Sequence, residues 1–598
     1  MSDCRLHDGS TVAIIGGGPG GAACAIKLLQ ESKARGLRLR VLIFEGKDFG
    51  VHANQCVGVL SPPVEEVLSR DLGVQLPPSL IKRQIFGYRL HGVRENLLLT
   101  GHGAHAGEPG EGQATYAVER AEFDQFLLDQ ARELGALVIK SRVTGIEFVR
   151  GDTLDEVRVY SESRYERADV VIGAFGLDEA MLSVFEEVTG QARRGSAGGV
   201  GGGGYQRPSK WLKSYLTTIE TNARFQTEKL GHIVHAFLMP PNCPRIEFGA
   251  ITPKDDHILI NIAGEHVTSC DLDQFLTLEE VQNLLPDFDP GGINYYEGRF
   301  PSAPARGAYG HRYALVGDAT GWLRPFKGKG INTALITGLR SASVMLEHGV
   351  SKGAFQHYAK ACADLLGDYR YGVLVRRLML MGARVFLDPM IDVGKTDPLM
   401  YDALFNSVSG HDSYRNIISH SLKPRLVRKV AARVFRGVGK HRARRRARRM
   451  TEITVRQMTV RDIDEMMRID EKITGLPHSA YYQSKAAAYI KRAPESCLVA
   501  LERERIVGFV LGDVRGWEFA TELSGWLEII GVDPEYQGEG VSLALMDELC
   551  ARFRRAGVKV VNTMVNWNDG NLIDYFRANG FDPGEYVNLV KRLNEEEK

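Results

Sequence analysis

The sequence predicts a multidomain protein of mixed α/β and α+β class, and three observations predict it. At 598 residues the chain exceeds what one hydrophobic core organises, so two to four domains are expected. A strand-like run, Val12-Ala-Ile-Ile15, passes straight into Gly16-Gly-Gly-Pro-Gly-Gly21 and then into a helical pattern. A fresh β/α pattern begins after Glu452, beyond a basic stretch that ends near Arg449.

The first of these is a dinucleotide-binding signature. Gly16, Gly18 and Gly21 fit GxGxxG, with Pro19 and Gly20 completing the turn. Gly16 permits a tight turn, Gly18 lets backbone approach a pyrophosphate, and Gly21 lets the helix close on the strand. The helix carries Ala22, Ile26 and Leu29 on one face, and its N-terminal amides face the phosphates. A second strand, Leu39–Phe44, ends at Glu45, where a carboxylate binds the two ribose hydroxyls of an adenosine. The chain therefore opens on a Rossmann-type domain, spanning about residues 10–180 and 300–346. Extended segments between Tyr205 and Leu276 predict an antiparallel substrate sheet at about 200–300, and helical periodicity over 347–420 predicts an extension.

Three later segments point to FAD rather than NAD. Val118–Asp124 opens a helix, and Asp169–Gly176 is another strand and turn. Tyr313-Ala-Leu-Val-Gly-Asp-Ala-Thr-Gly321 leads into Pro325-Phe-Lys-Gly-Lys-Gly-Ile-Asn332. Gly317 and Asp318 end a strand, which sets a carboxylate near the ribityl and pyrophosphate region. A helix from Ile331 would aim its amides at the flavin edge where charge accumulates on reduction. Pro325 and Asn332 flank that approach, and Gly328 and Gly330 keep side chains off the ring.

Residues 10–400 resemble the FAD-dependent geranylgeranyl reductase family, which includes the FixC-like flavoproteins. The resemblance extends to Gln55-Cys-Val-Gly-Val-Leu-Ser-Pro62, similar to that family's cysteine-bearing loop beside the flavin. It implies an Arg120 contact to FAD and reduction of C=C bonds in a hydrophobic, prenyl or lipid-like substrate. NAD(P)H or reduced ferredoxin would be the electron donor. Two departures stand out. The family's aromatic strand motif is Phe248-Gly-Ala-Ile-Thr-Pro253 here, and the Asp-Gly of related hydroxylases is Phe175-Gly176. A flavin monooxygenase and a quinone-linked electron-transfer flavoprotein remain alternatives. Cys56 is either a catalytic thiol at the substrate face or a small buried residue. The glycine run Gly198–Gly204 is a loop or an active-site flap. His102 and His105 sit in a glycine-rich loop with few acids, so no metal site is predicted.

The second β/α pattern carries its own anion cradle. Trp526–Pro534 reads as a strand, followed by Glu535-Tyr-Gln-Gly-Glu-Gly-Val541. A helix then places Val541, Leu545, Leu549 and Phe553 on one face, with Gly557 as its stop. Gln537-Gly-Glu-Gly540 resembles the pyrophosphate loop of the GNAT acetyltransferases, and Asn571 to Phe581 their closing helix and turn. Over 452–598 this implies a GNAT fold and acetyl-CoA as cosubstrate of an N-acyltransferase with an amine acceptor. The cosubstrate would be held by Val532, Gln537, Gly538, Glu539, Gly540, Val541 and Asn571. Glu528 is either the general base or a strand residue facing solvent. The family's tyrosine acid falls at Phe576, which has no proton to give. A module that only senses acyl-CoA is therefore the alternative.

Between the two lies a segment, 413–451, with fourteen Lys and Arg and no acid, which leaves the rest of the chain at −13. The boundary is placed at 421–451. The run at 423–449 is read as an anchor to anionic lipid or as a plain linker, with nucleic acid not expected. Eight scattered cysteines without a CxxC pair argue against zinc, iron–sulfur or disulfide frameworks. No signal sequence and no apolar run of membrane-spanning length is found, so a cytoplasmic enzyme, peripheral on the inner face of the membrane if the basic run anchors it, is expected.

Overall fold

The computed structural model describes residues 4–50, 56–100, 115–149, 155–191, 204–241, 243–289, 292–323, 329–410, 412–421, 423–434, 453–474, 480–516, 523–537, 539–565, 572, 575–576 and 579–582. The chain forms two compact units, Met1–Phe435 and Arg436–Lys598.

Unit 1 is built on a six-stranded sheet. Its order is Tyr309–Gly310, Tyr313–Leu315, Val170–Gly173, Thr11–Ile15, Arg40–Phe44 and Leu137–Ile139. All pairings are parallel except that of the outermost Tyr309–Gly310 strand. Val12, Ala13 and Ile14 are wholly buried, as befits a parallel strand covered on both faces. Each such aliphatic contributes about 1.5–3 kcal/mol by leaving water. The helices Pro19–Ala34 and Gly330–His348 pack closely on each other. A Cβ added at Gly338 would lie 2.2 Å from the Gly20 carbonyl oxygen, so this crossing requires glycine.

The second sheet of unit 1 has seven strands, in the order Tyr296–Pro301, Trp211–Glu220, His257–Gly264, Phe248–Pro253, Ile233–Leu238, Gly87–His91 and Asn96–Thr100. It is antiparallel except where Ile233–Leu238 runs parallel to Gly87–His91. Two of its strands come from residues 87–100, well before the segment where the sequence locates this sheet. They pair with each other as a hairpin, but its place in this sheet is set by Ile233–Leu238, more than 130 residues away, which nothing local discloses. One face, with Ile251, Ile260 and Ile262, packs on Phe275 of the helix Ser269–Leu276. The other, with Tyr88, Val234 and Leu238, packs on Leu387, Ile391 and Leu404 of the helices Ala363–Gly394 and Pro398–Ser409.

Unit 1 also takes in the first part of the basic segment. Residues 424–434 are helical, Leu426 is fully buried, Lys429 Nζ lies 2.5 Å from Asp397, and Arg433 Nε lies 2.6 Å from Asp392. These cations serve the fold rather than a free linker. Residues 435–452, including Arg442–Arg449, lie outside the described residues.

Unit 2 has a five-stranded sheet: Ile453–Gln457, Cys497–Glu502, Arg505–Arg515, Ser524–Val532 and Val560–Thr563. Only the last pair is parallel. The helix Val541–Arg555 buries Val541, Leu545, Leu549 and Phe553 against one face, the stripe the sequence predicts. The helices Ile463–Thr474 and Ala480–Arg492 cover the other with Met466, Ile469, Ala486 and Ile490. Among the described residues no helix is long and apolar enough to cross a membrane.

Candidate functional site

In unit 1 the glycines of the first turn divide by what surrounds them. Gly16 has φ +106°, and a Cβ there would stand 2.4 Å from the Ala174 carbonyl oxygen. A Cβ at Gly21 would meet the Gly16 oxygen at 2.0 Å. Both are required by the fold. Among the described residues Gly18 has nothing within 4 Å of an added Cβ, and its φ is an ordinary −66°. Its small size leaves open space where the helix Pro19–Ala34 begins with no side-chain cap and no acid in its first turn. An uncapped, positively polarised helix end beside an open backbone is an anion cradle. Glu45 borders it: Gly17 N–H donates to Oε2 at 2.8 Å and Lys47 N–H to Oε1 at 2.8 Å. These bonds fix the carboxylate and leave each oxygen able to accept one more.

Arg120, at the start of the helix Arg120–Glu133, ties the remaining residues together. Its Nε donates to Asp124 Oδ1 at 2.6 Å. Burial opposes its charge, yet Asp124 and the Cys56 thiol outweigh that cost and raise its pKa above the ordinary arginine value. The same guanidinium acts on Asp318, whose carboxyl burial pushes upward and Arg120 pulls back. Asp124 is likewise raised by burial, opposed by Arg120, and feels Glu45. Glu45, Asp124, Arg120, Cys56 and Asp318 thus form one connected set of ionisable groups.

Asp318 in turn faces the helix Gly330–His348. A Cβ at Gly330 would stand 3.0 Å from Asp318 Oδ1, and Gly317 takes φ +66° to make the preceding turn. Ile331 is buried behind this helix end. Asn332 Nδ2 donates to the carbonyls of Ser61 and Pro62 at 3.0 and 3.1 Å. Lys329 Nζ donates to Pro62 and Gly410 carbonyls at 3.1 and 2.8 Å. Both clamp the segment after Cys56 onto the helix end. Pro325 and Gly328 lie outside the described residues, as do His102, His105, Gln55 and all but the last residue of Gly198–Gly204.

In unit 2 the strand Ser524–Val532 keeps its parallel neighbour only as far as the Leu527–Thr563 pair. Beyond Leu527 the strand has no partner on that side among the described residues, so the sheet splays there. Glu528 stands at this point. On its other side Leu511 pairs with Ile529 and Gly512 with Leu527, which leaves Glu528 as the extra residue of a β-bulge. Bulges re-aim side chains, and they concentrate beside active sites. The Glu528 carboxylate meets Arg515, which also stacks 4.8 Å from the Trp526 ring centroid. Alternation along the strand does not disclose this orientation, because the bulge breaks the alternation.

The strand ends at the largely buried Val532 and at Asp533, which has no solvent exposure. Asp533 accepts from Glu535 N–H at 3.1 Å and from Lys472 at 3.0 Å, fixing the turn. Burial pushes its carboxyl upward, but Lys472 and the turn amide prevail and lower its pKa. Gln537 Nε2 donates to the Val532 carbonyl at 3.4 Å. Glu539 N–H donates to the Tyr536 carbonyl. Gly540 takes φ +87° as N-cap of Val541–Arg555, a helix with no side-chain cap and no acid in its first turn. Phe576 is buried among Tyr575 and Phe581, whereas the Tyr575 hydroxyl is buried without a hydrogen-bond partner. Gly538 and Asn571 lie outside the described residues.

Residues 463–581 match the acetyltransferase (GNAT) family model. The chain is 27% identical to an uncharacterized N-acetyltransferase of Methanocaldococcus jannaschii, over 23% of this chain and 67% of that one. Unit 1 has its own relatives. A digeranylgeranylglycerophospholipid reductase of Methanococcus aeolicus is 23% identical over 61% of this chain and 84% of its own. A geranylgeranyl bacteriochlorophyll reductase-like protein of Thermoplasma acidophilum shares the fold, with TM-score 0.52 and 18% identity over 70% of this chain and 99% of that one. The likeness of unit 1 to reductases and the match of unit 2 to the acetyltransferase model support an enzyme.

Proposed function

We propose that unit 1 is an FAD-dependent oxidoreductase that reduces C=C bonds of a hydrophobic, prenyl or lipid-like substrate, and that unit 2 transfers acetyl from acetyl-CoA to an amine. The connected set around Arg120 carries the first half. FAD fits the residues present: the space at Gly18 and the helix end at Pro19 suit its pyrophosphate, Glu45 its ribose, and Arg120, Asp318 and Gly330 the path toward its ring. When bound, FAD supplies hydride, with NAD(P)H or reduced ferredoxin as the source of electrons. Saturating a C=C bond also takes one proton, and Cys56, beside Arg120, is the proposed donor. Anaerobic titration with a prenyl substrate tests this, with saturated product and reoxidised flavin in equal amounts as the expected result.

For unit 2 the supporting observation is Glu528 at the bulge and the splay. It is the proposed base that takes a proton from the acceptor ammonium, while the amides from Gln537 to Val541 hold the CoA pyrophosphate. A second reading is favoured by Arg515 and Phe576. A base held in an ion pair, with no acid in the family position, suits binding of acyl-CoA without turnover. CoA release measured with and without a panel of amines separates them: amine-dependent release is expected, and tight binding with no release in any case supports the sensing module.

A further inference from the structure

The strand Phe248–Pro253 lies inside the seven-stranded sheet, and Phe248 and Ala250, on the face that packs on the helices Ala363–Gly394 and Pro398–Ser409, are only partly buried. Ala250 pairs directly with Asn261, and Thr252 follows two residues on, so all three share the face. Thr252 Oγ1 and Asn261 Oδ1 are both buried and, among the described residues, both without a hydrogen-bond partner. Two orphaned polar atoms at diagonal positions on one face are costly in a core and need something to satisfy them. The strand leads to Lys254, whose Nζ donates to Glu119 at 2.7 Å, beside Arg120 in sequence. A Cβ at Gly58 would stand 3.4 Å from the same Nζ, two residues from Cys56. Lys254 thus links the end of this strand to the segments that carry Arg120 and Cys56.

We infer that the substrate of unit 1 carries a hydroxyl group that hydrogen-bonds to Thr252 and Asn261 within an otherwise apolar cavity wall. This rests on the reductase reading above. One hydroxyl donates to Asn261 Oδ1 and accepts from Thr252 Oγ1, and it serves equally if the Asn261 amide is turned over. Aliphatic neighbours Leu216, Leu259 and Ala263 suit the body of such a molecule.

The test is binding of two probes to the FAD-loaded full chain, followed by the flavin spectrum: geranylgeraniol, and the hydrocarbon of the same skeleton lacking the hydroxyl. The alcohol is expected to bind at least about tenfold more tightly. In a Thr252→Val/Asn261→Leu variant, hydrocarbon affinity holds and the preference falls to about twofold or less. The isosteric Thr252→Val alone, which removes an unpaired hydroxyl, keeps FAD and thermal stability and loses part of the preference, which covers a double variant that does not fold. Equal affinity in the unaltered chain, or a preference that survives Thr252→Val and the double variant, overturns the inference while leaving the reductase reading intact. Failure to hold FAD or to bind either probe overturns both.

Discussion

Arg515 closes an ion pair on Glu528 at the residue where the Ser524–Val532 strand bulges and loses its parallel neighbour. An arginine in that position steadies the carboxylate and at the same time competes with an incoming ammonium for it. Glu528→Gln is expected to lower kcat/KM for acetyl transfer at least about 10²-fold with acetyl-CoA affinity unchanged, as read by steady-state kinetics and CoA binding. A Gln variant as active as the parent removes Glu528 from the chemistry.

The glycine turn of unit 1 separates folding from binding. Gly18→Ala meets no atom within 4 Å and keeps an ordinary φ, so stability should change by less than about 1 kcal/mol. The added methyl nevertheless occupies the approach to the pyrophosphate, and FAD affinity should fall at least about tenfold. Gly16→Ala has to be accommodated at φ +106° against the Ala174 carbonyl, so it should fail to fold stably. Flavin content and thermal denaturation of the two variants check both outcomes.

Arg120→Met is expected to destabilise unit 1 by about 3–5 kcal/mol, because Asp124 is then left buried without its cation. An Arg120→Met/Asp124→Leu pair should recover much of that loss in chemical denaturation, yet still bind FAD weakly. Full recovery of both would make Arg120 a purely structural residue.

Much of this was legible in the sequence and some of it was not. Gly16, Gly21 and the Val541-to-Phe553 stripe are local patterns, where the residue type itself carries the constraint. Glu528 could be named but not oriented, because a bulge is set by register against a neighbouring strand. Arg515, thirteen residues upstream, gives no local sign of pairing with it. The Asn332 amide holds Ser61 and Pro62 from more than 250 residues away, a contact that no local pattern announces. The Arg120–Asp124 pair, at helical i,i+4 spacing, was readable and was missed.

The least legible element is His91, whose Nε2 lies 3.0 Å from Nδ1 of His235 across parallel strands. Burial, helped by Arg89, lowers His91 to about 4, and burial with His91 and Arg89 lowers His235 to about 3. Both stay neutral in the folded state while the unfolded chain takes up protons below about pH 6.5. Unit 1 is fully stabilised above that pH and should lose stability as pH falls from 6.5 toward 3. Denaturant midpoints at pH 7.5, 6 and 5 test this, and His91→Gln should flatten the dependence. An unchanged slope in that variant would assign the acid sensitivity elsewhere.

Native mass spectrometry of the purified full chain, with and without added FAD and acetyl-CoA, bears most directly on the claim of two nucleotide sites in one polypeptide. The account predicts one FAD and one acetyl-CoA per chain, with Gly18→Ala losing the first and keeping the second. A chain that takes up no FAD on reconstitution, or shows no affinity for acetyl-CoA, contradicts it.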